Sequence, residues 1–196
     1  VWIHDFSMEH ADGLAIHPEQ CGDIFQQAFA KIWAGEAEND TFNWLVLGAQ
    51  FAWRDIAVLR AYSRYLRQTG FTLSLDYVAQ TLIKNASISR LLISLFYQRF
   101  DPEVHRGPDA LDEQGELIEQ QRLTLAIDKA MNAVANLDED RILRRYLALI
   151  LATIRCNFFQ QEDGQFHDYL SLKFDPSRVP GLPKPLPVYE VFVYSP

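Results

Sequence analysis

The sequence predicts a mainly α-helical protein, a multi-helix bundle with short β-strand pieces at its N- and C-terminal ends. Between residues 17 and 160, apolar side chains recur every three or four positions in several long runs, which is the spacing of one buried helix face. Runs of aromatic and β-branched residues, which favour strands, occur near both ends. We therefore predict a strand and turn over residues 1–16, a helical domain over 17–160, and a strand-containing segment over 161–196.

The composition is that of a globular protein. Of the 196 residues, 48 % are hydrophobic and 22 % are charged, and a chain of this length is able to build a single core. The net charge of −8 argues against a nucleic-acid partner, because phosphate binding depends on clustered Lys and Arg. The longest apolar window, residues 146–154, is too short for a membrane helix, which needs about 20 residues. We expect neither nucleic acid nor a membrane as a partner.

The cysteines and the N-terminus bear on where the protein resides. The only two cysteines, Cys21 and Cys156, lie far apart in the sequence and show no CxxC or zinc-ligand spacing. Such cysteine usage is typical of proteins in the reducing cytoplasm, although a single disulfide between the two is left open. The sequence starts with neither an initiator methionine nor a charged and apolar leader. We expect a cytoplasmic protein, of which this sequence is a segment.

Two helices are predicted in the first third of the chain. Pro18 is well placed in the first turn of a helix over residues 18–34. Asp40 or Thr41 is able to cap a long helix that runs to Gln68, although the interior Gly48 weakens it.

Four more helices are predicted before residue 160. The apolar spacing of the last one continues through Phe158, so we expect its seam to pack along its full length. A loop over residues 104–111 separates the first two from the others. The predicted starts and ends are Ser74 or Asp76 to Lys84, Ser87 to Asp101, Asp112 to about Val134, and a helix capped by Asp138.

Two strands are predicted near the C-terminus. After a turn at Asp163-Gly164, residues 169–174 form the first, and residues 188–194 form the second beyond a proline-rich connector. Because nothing in the sequence follows the second strand, we expect it to be unpaired.

No short catalytic motif is present: the sequence lacks GxGxxG, a P-loop, HExxH and GxSxG. Two groups of histidines and acids remain, and their spacing matches no common metal site. We interpret them as surface and turn residues and predict no catalytic, cofactor or metal residue in this chain. The two groups are His4, His10 and His17, and Glu162, Asp163, His167 and Asp168.

A row of arginines is the one candidate contact site. Arg60, Arg64 and Arg67 are four and three residues apart, so their guanidinium groups lie along one side of a helix. Together they are suited to grip an anion or an acidic neighbouring domain. A solvated face paired with local acids is the commoner arrangement, and the same alternative applies to Arg141, Arg144 and Arg145.

A helix-turn-helix is an alternative for residues 72–100, where two predicted helices meet at Lys84-Asn85-Ala86. The second helix begins Ser-Ile-Ser-Arg and then becomes almost wholly apolar. A recognition helix needs a polar face for base edges, so core packing is the better interpretation.

Four stretches of the sequence carry a resemblance to a known family: RYLRQTGFTLSLDYVAQTLIKN, LFYQRFDP, RCNFF and YLSLKFDPSRVPGLPKPLPVYEVFVYSP. With them the chain resembles the large bacterial NAD-specific glutamate dehydrogenases over essentially its whole length. The resemblance implies that residues 1–16 end an ACT-like region, that a helical domain follows, and that EVFVY is the first strand of the substrate domain. It also implies NAD as the cofactor of the parent enzyme, a homo-oligomeric parent, and catalytic residues that lie outside this sequence.

The predicted function is therefore a non-catalytic helical scaffold or regulatory segment of such an enzyme, which contacts its other domains and subunits. The parent reaction converts L-glutamate, NAD and water to 2-oxoglutarate, ammonia and NADH. The alternatives are a helix-turn-helix DNA-binding regulator and a free-standing helical interaction module.

Overall fold

A computed structural model describes residues 3, 5, 16–104 and 118–196. These residues form seven α-helices followed by five short strands, so the predicted mainly α-helical class with strands at the C-terminal end is confirmed. The predicted N-terminal strand and turn, the loop over 104–111 and the start of the helix at Asp112 lie almost entirely outside the described residues. The helices are α1 (Pro18–Trp33), α2 (Leu45–Gly48), α3 (Trp53–Gln68), α4 (Leu75–Lys84), α5 (Ala86–Phe100), α6 (Ile118–Met131) and α7 (Leu137–Ala152).

The long helix predicted from Asp40 to Gln68 is wrong, because the chain breaks it into three pieces. Asp40 is the cap, and its carboxylate accepts a hydrogen bond from the backbone N–H of Phe42 at 3.1 Å. However, it starts a 3₁₀ turn, Thr41–Trp44, that leads into the single-turn α2. Gln50 then takes a φ of 55°, which ends α2, and α3 starts at Trp53. The break allows apolar side chains on both sides of it to be buried: Phe42, Leu45, Val46, Phe51 and Ile56.

The helix predicted from Asp138 through Phe158 is wrong at both ends. Asn136 is the cap instead, because its side-chain oxygen accepts from the backbone N–H groups of Asp138 and Glu139 at 2.9 and 3.1 Å. At the other end α7 stops at Ala152, and the chain becomes extended. Ile154, which continues the helical spacing in the sequence, is therefore exposed and lies in a strand.

Three of the strands form one antiparallel sheet in the order β1-β4-β5. The predicted unpaired terminal strand is thus wrong: it pairs with the preceding strand in a continuous register, with Leu172 opposite Phe192. The other two strands form a separate hairpin whose turn is Asp163-Gly164, as predicted, with both residues at positive φ. The strands are β1 (Thr153–Cys156), β2 (Gln161–Glu162), β3 (Gln165–Phe166), β4 (Leu170–Phe174) and β5 (Glu190–Tyr194).

Helices and sheet share one hydrophobic core. Tyr62 on α3 lies at its centre, in edge-on contact with Phe96 of α5, Tyr146 of α7 and Phe174 of β4 at 6.2–6.4 Å between ring centroids. The predicted domain limit at residues 160 and 161 falls between β1 and β4, which are hydrogen-bonded neighbours. The limit itself stays a prediction.

Candidate functional site

The three arginines of the predicted row lie in three different environments along α3. Arg60 is buried, with 2 % of its surface exposed, whereas the Arg64 side chain is 40 % exposed and Arg67 lies in solvent. Such a gradient does not suit a single anion held by all three guanidinium groups. The row instead reaches from the core to the surface.

Arg60 is held by the loop before the 3₁₀ turn. Its Nε and Nη2 donate to the two carboxylate oxygens of Asp40, both at 2.8 Å, and Nη2 also donates to the side-chain oxygen of Asn43 at 3.0 Å. This is the two-pronged geometry that suits a guanidinium and a carboxylate. Burial alone lowers the pKa of Arg60, but the hydrogen bonds and charge of Asp40 outweigh it, and the pKa is raised. Arg60 is therefore charged and already occupied.

Arg64 shares an acid with the last strand. Its Nη2 donates to Glu38 Oε2 at 2.7 Å, and the Tyr194 hydroxyl of β5 donates a long hydrogen bond of 3.3 Å to Glu38 Oε1. Burial, together with the charge of Glu38, raises the pKa of Tyr194 to about 12, so its hydroxyl stays a donor. We refer to Glu38, Asp40, Arg60, Arg64 and Tyr194 as the arginine–acid junction.

The other end of β5 is attached to the same helix through Tyr65. Its hydroxyl donates to Glu190 Oε2 at 2.7 Å. Its ring stacks on Phe174 with 4.2 Å between centroids and contacts Phe192 at 5.5 Å. Burial, then the hydrogen bond and charge of Glu190, raise the pKa of Tyr65. Tyr65 of α3 therefore contacts the start of β5 directly, whereas Arg64 is linked to the end of β5 through Glu38.

The arginines on α7 hold other parts of the surface. Arg144 donates to Asp140 at 2.9 Å and to Asp128 at 3.0 Å, an exposed network between α7 and α6. Arg145 donates to the carbonyl oxygen of Pro180, and it lies against Gly181, whose φ is +85°. Arg145 thereby fastens the proline-rich connector that leads to β5.

Two further arginine contacts were not predicted from the sequence. Arg54 lies between the rings of Phe158 and Phe166, 4.2 and 3.5 Å from their centroids, and donates to the carbonyl oxygen of Phe158. Arg99 donates to the carbonyl oxygens of Leu151 and Thr153 at 3.3 and 3.0 Å, where α7 passes into β1. Neither contact leaves a local signal, because the partners lie about 50 to 100 residues away.

A groove of about 620 Å³ lies between α1, the start of α3 and the β2–β3 hairpin. Its cations are engaged with neighbours: Arg54 as described, and Lys31 with Glu36 and over the ring of Trp53 at 5.4 Å. Of the predicted turn cluster, His167 and Asp168 line the groove, while Glu162 and Asp163 lie exposed on the hairpin. The groove is therefore lined by two of the four residues of the predicted turn cluster.

The predicted histidine group is only partly described. His4 and His10 lie outside the described residues, and the exposed His17 sits 3.4 Å from Glu19. Across residues 16–104 and 118–196, no three His, Cys, Asp or Glu side chains gather as a metal would require. Over the same ranges, every helix is too short or too polar to cross a membrane.

The helix-turn-helix alternative is not supported by the packing of its second helix. The pair α4 and α5 exists and is joined at Asn85. Yet the only exposed residues along α5 are Ser87, Arg90 and Ser94, and the other positions contact the core or are partly covered. A helix packed in this way has too narrow a polar face to read bases.

Comparison with known proteins assigns both the segment that contains the arginine row and the segment that contains the sheet to one enzyme family. The model for "Glutamate dehydrogenase, helical motif 3" matches residues 37–102, which contain the arginine row. The model for "Bacterial NAD-glutamate dehydrogenase, catalytic domain" matches residues 126–196, from within α6 to the end of the sequence, and includes β5.

Individual relatives agree with the family models. The NAD-specific glutamate dehydrogenases of Halomonas elongata and Pseudomonas aeruginosa are each 47 % identical over 196 residues. That of Mycobacterium tuberculosis is 35 % identical over 203 residues. All of this chain is covered in each case, and it spans 12 % of the length of each relative. The resemblance seen in the sequence is thus confirmed, and the chain corresponds over its whole length to a segment of the large NAD-specific glutamate dehydrogenases.

Proposed function

We propose that this chain is a non-catalytic helical scaffold of a full-length NAD-dependent glutamate dehydrogenase, and that it positions the sheet ending in β5. The full-length enzyme would oxidise L-glutamate with NAD and water to 2-oxoglutarate, ammonia and NADH. Its NAD and its catalytic residues would lie outside the 196 residues. Its partners would be the other domains and subunits of a cytoplasmic homo-oligomer.

The observation that carries this proposal is the attachment of both ends of β5 to the helical part, at its start directly to α3 and at its end through Glu38. Glu190 at the start of the strand accepts from Tyr65, and Tyr194 at its end donates to Glu38, which also pairs with Arg64. Between these points Phe192 packs against the Tyr65 ring. A strand held at its start, middle and end has little freedom to shift in register or direction, so α3 and the loop that carries Glu38 would fix where the chain leaves the sheet.

The non-catalytic part of the proposal is tested with the chain itself. The purified 196-residue protein, mixed with L-glutamate and NAD, is expected to produce no NADH, and calorimetric titration with NAD is expected to show no binding. Glutamate-dependent formation of NADH would overturn this part.

The positioning part is tested in the full-length enzyme with Tyr65→Phe. The change removes the hydrogen bond to Glu190 and keeps the ring that stacks on Phe174. We expect kcat/KM for glutamate to fall several-fold, with NAD affinity unchanged. The matched control is Tyr77→Phe on α4, whose hydroxyl makes no hydrogen bond within the described part of the chain. Equal activity of both variants and the parent enzyme would contradict a positioning role for α3.

The two alternatives are separated from the proposal by simple measurements. A DNA-binding regulator would give a salt-sensitive shift of duplex DNA, and we expect none up to the micromolar range. A free-standing module would exist as a separate protein of about this length. We expect an immunoblot of native cells to detect this sequence only in a much longer polypeptide, because the chain spans 12 % of each relative.

A further inference from the structure

Strand β5 lies at one edge of the three-stranded sheet and pairs with β4 on one side only, within the part of the chain that the structure describes. In an antiparallel ladder, alternate residues turn their N–H and C=O groups toward opposite neighbours. About half of the backbone groups of β5 therefore point toward the open edge. Five consecutive residue pairs with β4, from Glu190 to Tyr194, show that β5 has no bulge.

The opposite edge of the sheet has the features that natural edge strands use against further pairing. Strand β1 has four residues, its register with β4 shifts between Thr153 and Arg155, and Arg155 places an exposed charge there. Short length, a bulge and a charge all discourage the addition of another strand. From Val191 to Tyr194, β5 has no charge, no proline and no bulge.

The outward face of β5 is also unlike that of its neighbour. Val191 and Val193 are 59 % and 57 % exposed, while Phe192 and Tyr194 on the inward face are buried. Strand β4 places the polar Ser171 and Lys173 opposite these valines. A strand that is apolar on both faces is typical of the interior of a sheet that is covered on both sides, whereas alternation is typical of a sheet with one wet face.

We infer that β5 is an interior strand of a larger sheet in the full-length enzyme. An extended segment of the same polypeptide pairs with its open edge, and the added structure covers Val191 and Val193. Two observations favour this occupant over a second copy of the chain. The chain spans only 12 % of each relative, and the catalytic-domain match runs through β5 to residue 196. The inference rests on the proposed function only in placing this chain within a longer enzyme.

Hydrogen exchange measured by mass spectrometry tests the pairing directly. The β5 peptide is compared in the 196-residue chain and in the full-length enzyme, both at low concentration. We expect the edge-facing amides to exchange at least about 100-fold more slowly in the full-length enzyme, because they gain hydrogen-bond partners. The amides of β4 are the internal control, since that strand is paired on both sides and is expected to be protected in both proteins. Equal exchange of the β5 amides in the two proteins would overturn the inference.

Substitutions at Val193 test the covering of the outer face. In the 196-residue chain, Val193→Lys is expected to leave the melting temperature nearly unchanged, because the side chain is already more than half exposed. In the full-length enzyme the same change buries a charge and is expected to lower the melting temperature by several degrees or to prevent folding. Val193→Thr is the matched control, since it keeps the β-branched shape and should be tolerated in both proteins. An equal response of the two proteins to Val193→Lys would count against the covering layer.

A second copy of the chain as the occupant would be recognised by a different result. The 196-residue chain would then dimerise, and protection of β5 would rise with its concentration and reach that of the full-length enzyme. This outcome would overturn the choice of occupant. It would leave the effect of Tyr65→Phe on kcat/KM untouched, so failure of this inference and failure of the proposed function are distinguishable.

Discussion

Replacing Arg60 by methionine tests whether the arginine row acts through one buried contact or through a shared charged surface. The guanidinium makes two hydrogen bonds of 2.8 Å to Asp40 and one of 3.0 Å to Asn43, and it lies 3.7 Å from Glu38. Removing one partner of a buried ion pair typically costs roughly 3–5 kcal/mol, because the other charge stays unpaired. The side chains of Asp40 and Glu38 are 30 % and 22 % exposed, so water solvates them in part. We expect the lower end of that range, about 3 kcal/mol of unfolding free energy.

The other two arginines supply matched controls on the same helix. Arg64→Met removes one bond from a side chain that is 40 % exposed, and we expect a loss of about 0.5–1 kcal/mol. Arg67→Met changes an exposed side chain, and the free energy of unfolding should stay within about 0.5 kcal/mol. The three substitutions remove the same charge, so a difference between them reports burial and partners rather than net charge.

Urea unfolding of the 196-residue chain, followed by far-ultraviolet circular dichroism, measures all three values. The slopes should agree, so that shifts in midpoint report stability. Combining Arg60→Met with Asp40→Asn should recover part of the loss, with a coupling of about 2 kcal/mol between the two positions. If Arg60→Met lowers the free energy of unfolding no more than Arg67→Met does, the arginine–acid junction contributes nothing to stability and the reasoning is refuted.

Three further predictions concern the sheet and its connector. Thr153→Val removes a buried hydroxyl that hydrogen-bonds the Tyr62 hydroxyl at 2.9 Å. Urea unfolding should show that the free energy of unfolding falls by about 1–2 kcal/mol. A loss near zero would mean that this hydrogen bond does not stabilise the fold. Burial raises the pKa of Cys156 from 9.0 to about 11. In a chain whose other cysteine is serine, alkylation at pH 8 should be about 100-fold slower than for an ordinary thiol and rise tenfold per pH unit; a plateau near pH 9 would contradict this. Gly181→Ala should lower the free energy of unfolding by about 1–2 kcal/mol, because the φ of Gly181 is +85°. Gly22→Ala is the control and should be neutral or stabilising, because Gly22 lies inside α1 with open space around it. Equal effects of the two changes on the melting temperature would contradict this prediction.

The sequence predicted the helices well where the apolar spacing and a stop signal coincide. Helix α5 ends at Phe100, just before Asp101-Pro102, and α4 starts after Ser74, whose hydroxyl accepts from the N–H of Tyr77 at 3.1 Å. Both signals act over a few residues, so they can be read from the sequence alone.

The errors arose where distant contacts override local spacing. Ile154 and Phe158 continue the helical pattern of α7, yet the chain becomes extended at Thr153 because β1 pairs with β4, some twenty residues later. Gly48, the last residue of α2, is the one local sign of the break before α3, but it gives neither the positive φ of Gln50 nor the restart at Trp53. The break lets residues on both sides of it be buried in the shared core.

For the arginine row, the spacing in the sequence predicted the shared helix side, while its role as an interdomain or anion contact stays a prediction. Spacing placed Arg60, Arg64 and Arg67 on one helix face, and pairing with local acids was the commoner alternative, which the structure shows for the first two. The spacing of the arginines in the sequence does not reveal how deeply each side chain is buried. The loop that carries Asp40 covers Arg60, and Tyr194 reaches Glu38 from the far end of the chain.

The attachment of β5 to α3 also determines when the sheet can be completed during synthesis. Tyr65 and Glu190 are 125 residues apart, and Glu38 and Tyr194 are 156 apart. Contacts of such separation form late, because a long loop must close before they contribute, and domains emerge from the ribosome N-terminal end first. The helices can therefore pack around Tyr62 while β4 still lacks β5 as its neighbour in the sheet. Tyr65 and Glu38 acquire their partners in β5 only when residues 190–194 emerge. The helices therefore fold before the strand that they later bind.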